Sequence, residues 1–142
     1  MLSKSEENYL KAIYSLLEKK DTISTNNIAK YLEMKASSVT DMLKKLSNKK
    51  LVNYVKYHGV SLTNKGGEFA VDIIRKHRLW ETFLVNRLNF SWDEVHDIAE
   101  QLEHIDSSEL INRLDDYLKN PKFDPHGDPI PDINGEIFKQ NT

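Results

Sequence analysis

Residues 36–62, ASSVTDMLKKLSNKKLVNYVKYHGVSL, are the stretch that decides the fold. The first half carries apolar residues at the three- and four-residue spacing of one helix face: Val39, Met42, Leu43 and Leu46. The second half contains two short β-prone runs, and the turn between them includes Gly59. The stretch therefore predicts an amphipathic helix followed by a β-hairpin.

Two further helices are predicted before this stretch. Ser3 and Glu6 have the spacing of a capping box, and apolar residues recur after them at helical intervals. A second helix begins after Ser24 or Thr25. Helix, helix, short turn, helix and hairpin is the order of a winged helix-turn-helix, in which the last helix enters the major groove of DNA.

The charge distribution divides the chain in two. Residues 1–66 hold 12 lysines against six acidic residues, and residues 67–142 hold eight basic residues against 16 acidic ones. A basic half suits an anionic partner and an acidic half suits cations. Chance clustering of solvated charge is the alternative explanation.

The third helix and the hairpin tip supply the candidate DNA contacts. Hydroxyls near the helix N-terminus can bind bases or phosphates, and lysines neutralise phosphates. The candidates are Ser37, Ser38, Thr40, Asp41, Lys44 and Lys45 on the helix, and Lys56, Tyr57 and His58 at the tip. For any single lysine, a merely solvated position is the alternative.

The second half predicts three more helices and a candidate metal site. A long helix follows Thr63, a fifth opens at the Ser91/Glu94 box, and a sixth starts near Asp106. Imidazoles and carboxylates align on one face of the fourth and fifth helices: His77, Glu81, His96, Glu100, Glu103 and His104. Such donors without thiolate suit Mn²⁺, Fe²⁺, Co²⁺ or Zn²⁺. A solvated polar stripe is the alternative.

Apolar residues of the long helix and the turn after it are candidates for a dimer interface: Trp80, Phe83, Leu84, Leu88 and Trp92. Each could equally belong to the intramolecular core. The chain has no cysteine, no signal-peptide pattern and no apolar run long enough for a membrane span, so a cytoplasmic protein is expected.

Several motifs together resemble the diphtheria toxin repressor and manganese transport regulator family of metal-dependent repressors. They are Arg75-Lys76-His77-Arg78-Leu79, the run from Glu94 to His104, Pro129-Ile130-Pro131, Ser37-Ser38-Val39-Thr40 and Leu62-Thr63-Asn64-Lys65-Gly66. The resemblance implies a homodimer of winged-helix domains and assigns the six imidazoles and carboxylates, together with Asn8, as metal ligands. Glu100 replaces the cysteine of iron-type members, which favours the manganese type. Asn8 and Lys11 depart from the manganese pattern.

The predicted fold is mainly α with a small β-hairpin, a winged helix-turn-helix followed by an all-helical dimerisation and metal-binding domain. The domain boundaries are 1–66 for DNA binding, 67–120 for the helical domain and 121–142 for an extended Pro/Gly-rich tail. The resemblance allows this tail to be the start of a linker to an SH3-like domain.

The predicted function is a metal-dependent DNA-binding repressor rather than an enzyme. Mn²⁺, or alternatively Fe²⁺, activates it for palindromic operators of metal-homeostasis genes, and Zn²⁺ or Co²⁺ can substitute in vitro. Its partners are an operator duplex and a second copy of the chain, with no membrane and no small-molecule substrate. The alternatives are a metal-blind winged-helix regulator and a helical metalloenzyme.

Overall fold

The structure is a computed structural model that describes residues 2–137, and contacts divide the chain into two compact units between Val71 and Asp72. The helices and strands are α1 (Lys4–Leu17), α2 (Thr25–Leu32), α3 (Ala36–Asn48), β1 (Val52–Val55), β2 (Gly59–Leu62), α4 (Asn64–Leu88), α5 (His96–Leu102) and α6 (Ser108–Tyr117). The mainly α fold with one hairpin is thereby confirmed. None of the helices within residues 2–137 is long and apolar enough to cross a membrane.

The first unit buries one apolar cluster beneath its three helices and the hairpin. The cluster includes Leu10, Ile13, Ile28, Val39, Leu43 and Leu46, none of which is measurably exposed. The apolar face predicted for the third helix is therefore the buried one, with Met42 half-buried at its edge. Burial of this face leaves the opposite, polar side of α3 on the surface.

The hairpin is antiparallel, and Val52 pairs with Leu62 at its base. A single bridge joins Val60 to Ile23, which ties the hairpin to the segment between α1 and α2. Gly59 has a φ of 105°, a conformation that favours glycine, and a Cβ at this position would crowd Thr22. Strand β2 is thus paired on both of its sides, with β1 on one side and with Ile23 on the other.

An ion pair between an exposed lysine and a buried carboxylate joins α1 to the end of α3. Glu6 lies inside the capping box with Ser3, and its Oε2 accepts a hydrogen bond of 2.6 Å from Lys49 Nζ. Burial raises the pKa of the Glu6 carboxyl, but the hydrogen bonds from Lys49 and Ser3 outweigh it and lower the pKa to about 2. The capping glutamate therefore stays ionised.

The second unit packs α4 against α6 and the segment that follows it. Leu79, Ile111, Leu114 and Ile130 form the buried cluster, with Trp80, Phe83 and Leu118 against it. Arg75 Nη2 donates to Asp115 Oδ2 over 2.9 Å, and the Arg78 guanidinium donates to the carbonyl oxygen of Pro129. These contacts attach α4 to α6 and to the segment that follows it.

The Ser91/Glu94 capping pattern does not begin a helix. The Ser91 side chain hydrogen-bonds to Glu94, and the backbone N–H of Glu94 bonds back to the Ser91 carbonyl. This closes a turn over residues 92–94, and α5 starts only at His96, after Val95. Only one of the two hydrogen bonds of a capping box forms, from the Ser91 N–H to the Glu94 carboxylate, so the prediction that the fifth helix opens at Ser91 is wrong.

The proline-rich segment after residue 120 folds into two loops with the same hydrogen-bonding pattern. Asp124 Oδ1 accepts the backbone N–H groups of His126 and Asp128, and Asp132 Oδ1 accepts those of Asn134 and Glu136. In each loop the side chain replaces backbone partners that a regular element would supply. The segment up to residue 137 is therefore shaped by side-chain hydrogen bonds.

We expect Gly66→Ala to destabilise the first unit and Gly67→Ala to stabilise it. A Cβ on Gly66 would overlap the carbonyl oxygen of Leu51, whereas a Cβ on Gly67 meets nothing within 4 Å. Overpacking costs about 1–3 kcal/mol, and replacing an unconstrained helical glycine by alanine gains up to about 1 kcal/mol. Urea unfolding of both variants checks this. Equal effects of the two substitutions would contradict the packing of Gly66 on Leu51.

We expect Lys49→Met to lower the free energy of unfolding at pH 7 by about 1–3 kcal/mol, because it leaves the Glu6 carboxylate buried without its charged donor. Lys50→Met is the matched control, since Lys50 is the exposed neighbour. The lowered pKa of Glu6 contributes stability above its unfolded value of 4.5, and this contribution is lost as the pH falls towards 2. Urea unfolding across this window should show the Lys49→Met deficit shrinking. A deficit independent of pH would count against the ion pair.

Candidate functional site

His77 is the central side chain of the polar face of α4. Its Nδ1 lies 2.6 Å from Glu103 Oε1, and its Nε2 lies 3.4 Å from Glu81 Oε1. All three residues are buried. The two ring nitrogens therefore face two different carboxylates, one on the same helix and one at the C-terminal end of α5.

The first group of potential metal donors consists of His77, Glu81 and His96, whose donor atoms all lie within 4.8 Å of one another. Edge-to-face contact sets the His96 ring against that of His77, with 4.9 Å between ring centroids. His96 is exposed, and its Nε2 also lies 3.1 Å from Glu100 Oε1. This group combines a buried carboxylate with one buried and one accessible imidazole.

A second group of the same kind is formed by Glu81, Asp124 and His126. His126 Nδ1 lies 3.5 Å from Glu81 Oε2, so the two oxygens of Glu81 face different histidines. The sequence pattern does not indicate Asp124 or His126, which lie 43 and 45 positions beyond Glu81 in a loop. The only signal was an acid and a histidine two residues apart, a spacing that is common without any function.

The two carboxylates of the second group have pKa values displaced in opposite directions. Burial raises the pKa of Asp124, and the negative charges of Glu81 and Asp128 add to this effect against the backbone hydrogen bonds. For Glu81, burial also raises the pKa, but the hydrogen bond and positive charge of His77, with the charges of His126 and His96, outweigh it and lower the pKa. A positive charge between the two carboxylates would relieve their repulsion.

The remaining predicted ligands lie beside these groups. The carboxylate of Glu103, at the end of α5, faces His77 through one oxygen, and its other oxygen lies 3.8 Å from His104 Nε2. Among the described residues, Glu100, Glu103 and His104 are not part of a set of three donors within 4.8 Å. Asn8 lies half-buried on α1, in the first unit.

The donor chemistry fits a divalent metal ion. Both groups offer only imidazole nitrogen and carboxylate oxygen, and Glu81 is almost fully buried with its pKa lowered by the neighbouring histidines. This is the donor type that suits Mn²⁺, Fe²⁺, Co²⁺ and Zn²⁺. Two groups that share one carboxylate can hold either one ion or two.

The candidate DNA surface lies on α3. Ser37, Ser38 and Asp41 are exposed, as are Lys44 and Lys45. Thr40 is half-buried, and its hydroxyl donates to the carbonyl oxygen of Ala36 over 3.0 Å, so its own helix already uses this donor. Within the described residues, Lys35 stands at the N-cap of α3 without a side-chain hydrogen bond. Backbone N–H groups at such an end can bind a phosphate.

The tip of the hairpin is fully accessible. Lys56, Tyr57 and His58 are exposed, and Tyr57 has the positive φ of 70°. The ammonium of Lys56 lies 5.3 Å from the centre of the Tyr57 ring, within cation–π range. The tip therefore presents a positive charge and an aromatic ring together.

The five apolar residues considered for a dimer interface occupy different environments. Leu84 is buried, Trp80 and Phe83 are half-buried in edge-to-face contact at 5.9 Å, and Leu88 and Trp92 are exposed. The Trp92 ring contacts His126, with 5.1 Å between centroids. Leu88 and Trp92 are the members of this set with the most accessible surface.

Two family models match the chain. Residues 1–60 match the iron dependent repressor N-terminal DNA binding domain, and residues 63–132 match the iron dependent repressor metal binding and dimerisation domain. The boundary between them falls just before α4, which agrees with the separation of a basic half from an acidic one.

Known proteins resemble the chain over most of its length. The iron-dependent repressor IdeR of Mycobacterium leprae is 35% identical over 127 residues, which are 89% of this chain but only 55% of that protein. The HTH-type transcriptional regulator MntR of Oceanobacillus iheyensis is 34% identical over 87% of this chain and 84% of its own length.

A solved structure described as a manganese-dependent transcriptional repressor in complex with manganese superposes with a TM-score of 0.88. It is 42% identical, and the match covers 95% of this chain and 62% of that one. The chain thus spans between about half and two thirds of these longer relatives. With both domain models matched and a regulator of similar length aligned almost throughout, the chain belongs to the iron-dependent repressor family of metal-dependent transcriptional regulators.

Proposed function

We propose that this chain represses transcription by binding operator DNA when a divalent metal ion occupies the groups around Glu81. The observation that carries the proposal is the buried Glu81 carboxylate, whose two oxygens face His77 and His126. The same chain holds an exposed lysine-bearing helix in a winged helix-turn-helix. A metal-responsive switch needs both features.

The proposed ligands divide into two groups that share Glu81. His77 and His96 complete one group, and Asp124 and His126 complete the other. A bound cation supplies positive charge that stabilises ionised carboxylates in a buried position. Glu103 would orient His77 through its 2.6 Å contact with Nδ1, leaving Nε2 directed to Glu81 and the ion.

We propose Mn²⁺ as the physiological ion, with Fe²⁺ as the alternative. The absence of cysteine removes thiolate ligands, and oxygen-rich sites suit manganese better than sulfur-containing ones. The solved manganese-dependent repressor supports this choice by similarity, whereas the iron-dependent repressor IdeR supports iron. Zn²⁺ and Co²⁺ are expected to bind the same donors in vitro.

We propose that the metal acts by selecting one state of a homodimer. An ion raises DNA affinity only by as much as it binds more tightly to the DNA-competent state than to the other. The family model for dimerisation covers α4 to α6, and Leu88 offers exposed apolar surface there. A two-fold dimer implies a palindromic operator whose half-sites are about one helical turn, roughly 34 Å, apart.

We expect Glu81→Gln to weaken Mn²⁺ binding at both groups, because it removes the shared negative charge and keeps the side-chain size. His96→Ala should affect one group only and His126→Ala the other. Glu109→Gln is the matched control, since Glu109 is exposed and paired with Arg113 on α6. Calorimetric titration with Mn²⁺ measures affinity and stoichiometry. Wild-type affinity in Glu81→Gln would contradict the proposed site.

We expect Mn²⁺ to strengthen DNA binding, and each phosphate-contacting lysine to add to the salt dependence. The probe is a fluorescein-labelled duplex selected from a random library with the Mn²⁺-loaded protein. Lys44→Ala and Lys45→Ala should each lower the slope of log K against log salt by about 0.9 if one phosphate contact is lost. Lys19→Ala, at an exposed position after α1, is the control.

Fluorescence anisotropy with Mn²⁺ and with a chelator gives the decisive comparison. Equal affinity in the two conditions would favour a metal-blind winged-helix regulator. The family consists of transcriptional regulators, which leaves the metalloenzyme hypothesis without support.

A further inference from the structure

Trp92 is an exposed aromatic residue that contacts one of the proposed ligands. The side chain lies in the turn before α5, and 59% of the residue is accessible. Its indole nevertheless meets the imidazole of His126 edge-to-face, with 5.1 Å between centroids and 80° between planes. Aromatic pairs in this arrangement attract each other beyond the effect of buried area.

Both partners stand on segments whose backbone is held by local hydrogen bonds. Trp92 lies within the turn closed by Ser91 and Glu94. His126 lies in the loop organised by Asp124, whose Oδ1 accepts its backbone N–H over 2.9 Å. The remaining freedom of His126 is rotation of its side chain, and the Trp92 ring restricts that rotation.

The contact favours the orientation that a ligand needs. With its ring against Trp92, His126 directs Nδ1 towards Glu81 Oε2 at 3.5 Å. A histidine on an exposed loop otherwise loses side-chain entropy when it binds an ion, and prior restriction reduces this cost. The first group has a different arrangement, because His96 rests against His77.

We propose that Trp92 is a positioning residue for His126 and thereby sets the cation affinity of the group formed by Glu81, Asp124 and His126. The inference rests on the proposed function, since it assumes that this group binds a metal. It assigns Trp92 to the metal centre within one chain rather than to the surface between two chains. It also predicts that Trp92 acts on one group and not on the other.

The test uses Co²⁺ as the probe with the full chain, and measures affinity by calorimetry and ligand-field absorption. We expect His126→Ala to abolish Co²⁺ binding at this group. Trp92→Leu should weaken the same binding by about three- to tenfold. Trp92→Phe, which keeps an aromatic ring beside His126, should retain most of the wild-type affinity. In a His126→Ala background, Trp92→Leu should leave Co²⁺ affinity at the remaining group, His77, Glu81 and His96, unchanged.

A fluorescence readout follows the same contact independently. The chain has two tryptophans, so Trp80→Phe leaves Trp92 as the sole indole. Co²⁺ should quench its emission in proportion to occupancy of the second group, and His126→Ala should abolish that part of the quenching. Without metal, Trp92→Leu should also shift the ring-proton resonances of His126, because the ring current of the indole is lost.

Three results would overturn the inference. Unchanged Co²⁺ affinity in Trp92→Leu would do so, as would an equal loss of affinity at the group formed by His77, Glu81 and His96. A slower-sedimenting species for Trp92→Leu would place the residue at the dimer surface instead. Wild-type protein that binds no Co²⁺ or Mn²⁺ would defeat the proposed function and this inference together, whereas the first three results leave metal binding intact.

Discussion

A buried carboxylate with imidazoles on both sides is the interaction on which the candidate metal centre depends. Burial alone would favour the neutral acid of Glu81, because an ion loses its hydration in a low-dielectric interior. Imidazoles on both sides reverse this preference and lower its pKa. For the neighbouring Asp124, burial and the nearby negative charges outweigh the backbone hydrogen bonds, and its pKa is raised. The two neighbouring carboxylates therefore have pKa values displaced in opposite directions, and binding of a proton or a metal ion would change the balance of charge between them.

The first unit depends on ordinary packing, and for that reason its sequence predicts it well. The helix spacing of Val39, Leu43 and Leu46 matches a face that is completely buried. The turn at Gly59 joins two short strands whose pairing is antiparallel. Period and turn chemistry act over a few residues, so they can be read without knowledge of distant contacts.

The candidate metal centre could be predicted only in part. His77 and Glu81 are four residues apart on one helix, and that spacing alone places them together. Asp124 and His126 reach the same carboxylate through a loop that no periodicity describes. Conversely, the capping pattern of Ser91 and Glu94 is only half formed, because the Ser91 N–H donates to the Glu94 carboxylate while the Glu94 N–H closes a turn on the Ser91 carbonyl. Sequence spacing therefore indicates which neighbouring residues can interact, whereas tertiary packing determines which secondary structure they form.

Among residues 2–137, the start of α3 has no side-chain cap, which affects both the stability of the helix and the backbone donors available to a ligand. Within the described chain, the Lys35 side chain makes no hydrogen bond to the first turn of α3. A serine or aspartate there would satisfy one of those backbone donors and stabilise the free protein. It would also occupy a donor that a DNA phosphate can use, and aspartate would repel the phosphate. With α3 as the proposed DNA-contacting helix, a capping residue that raises thermal stability would therefore lower the affinity for DNA.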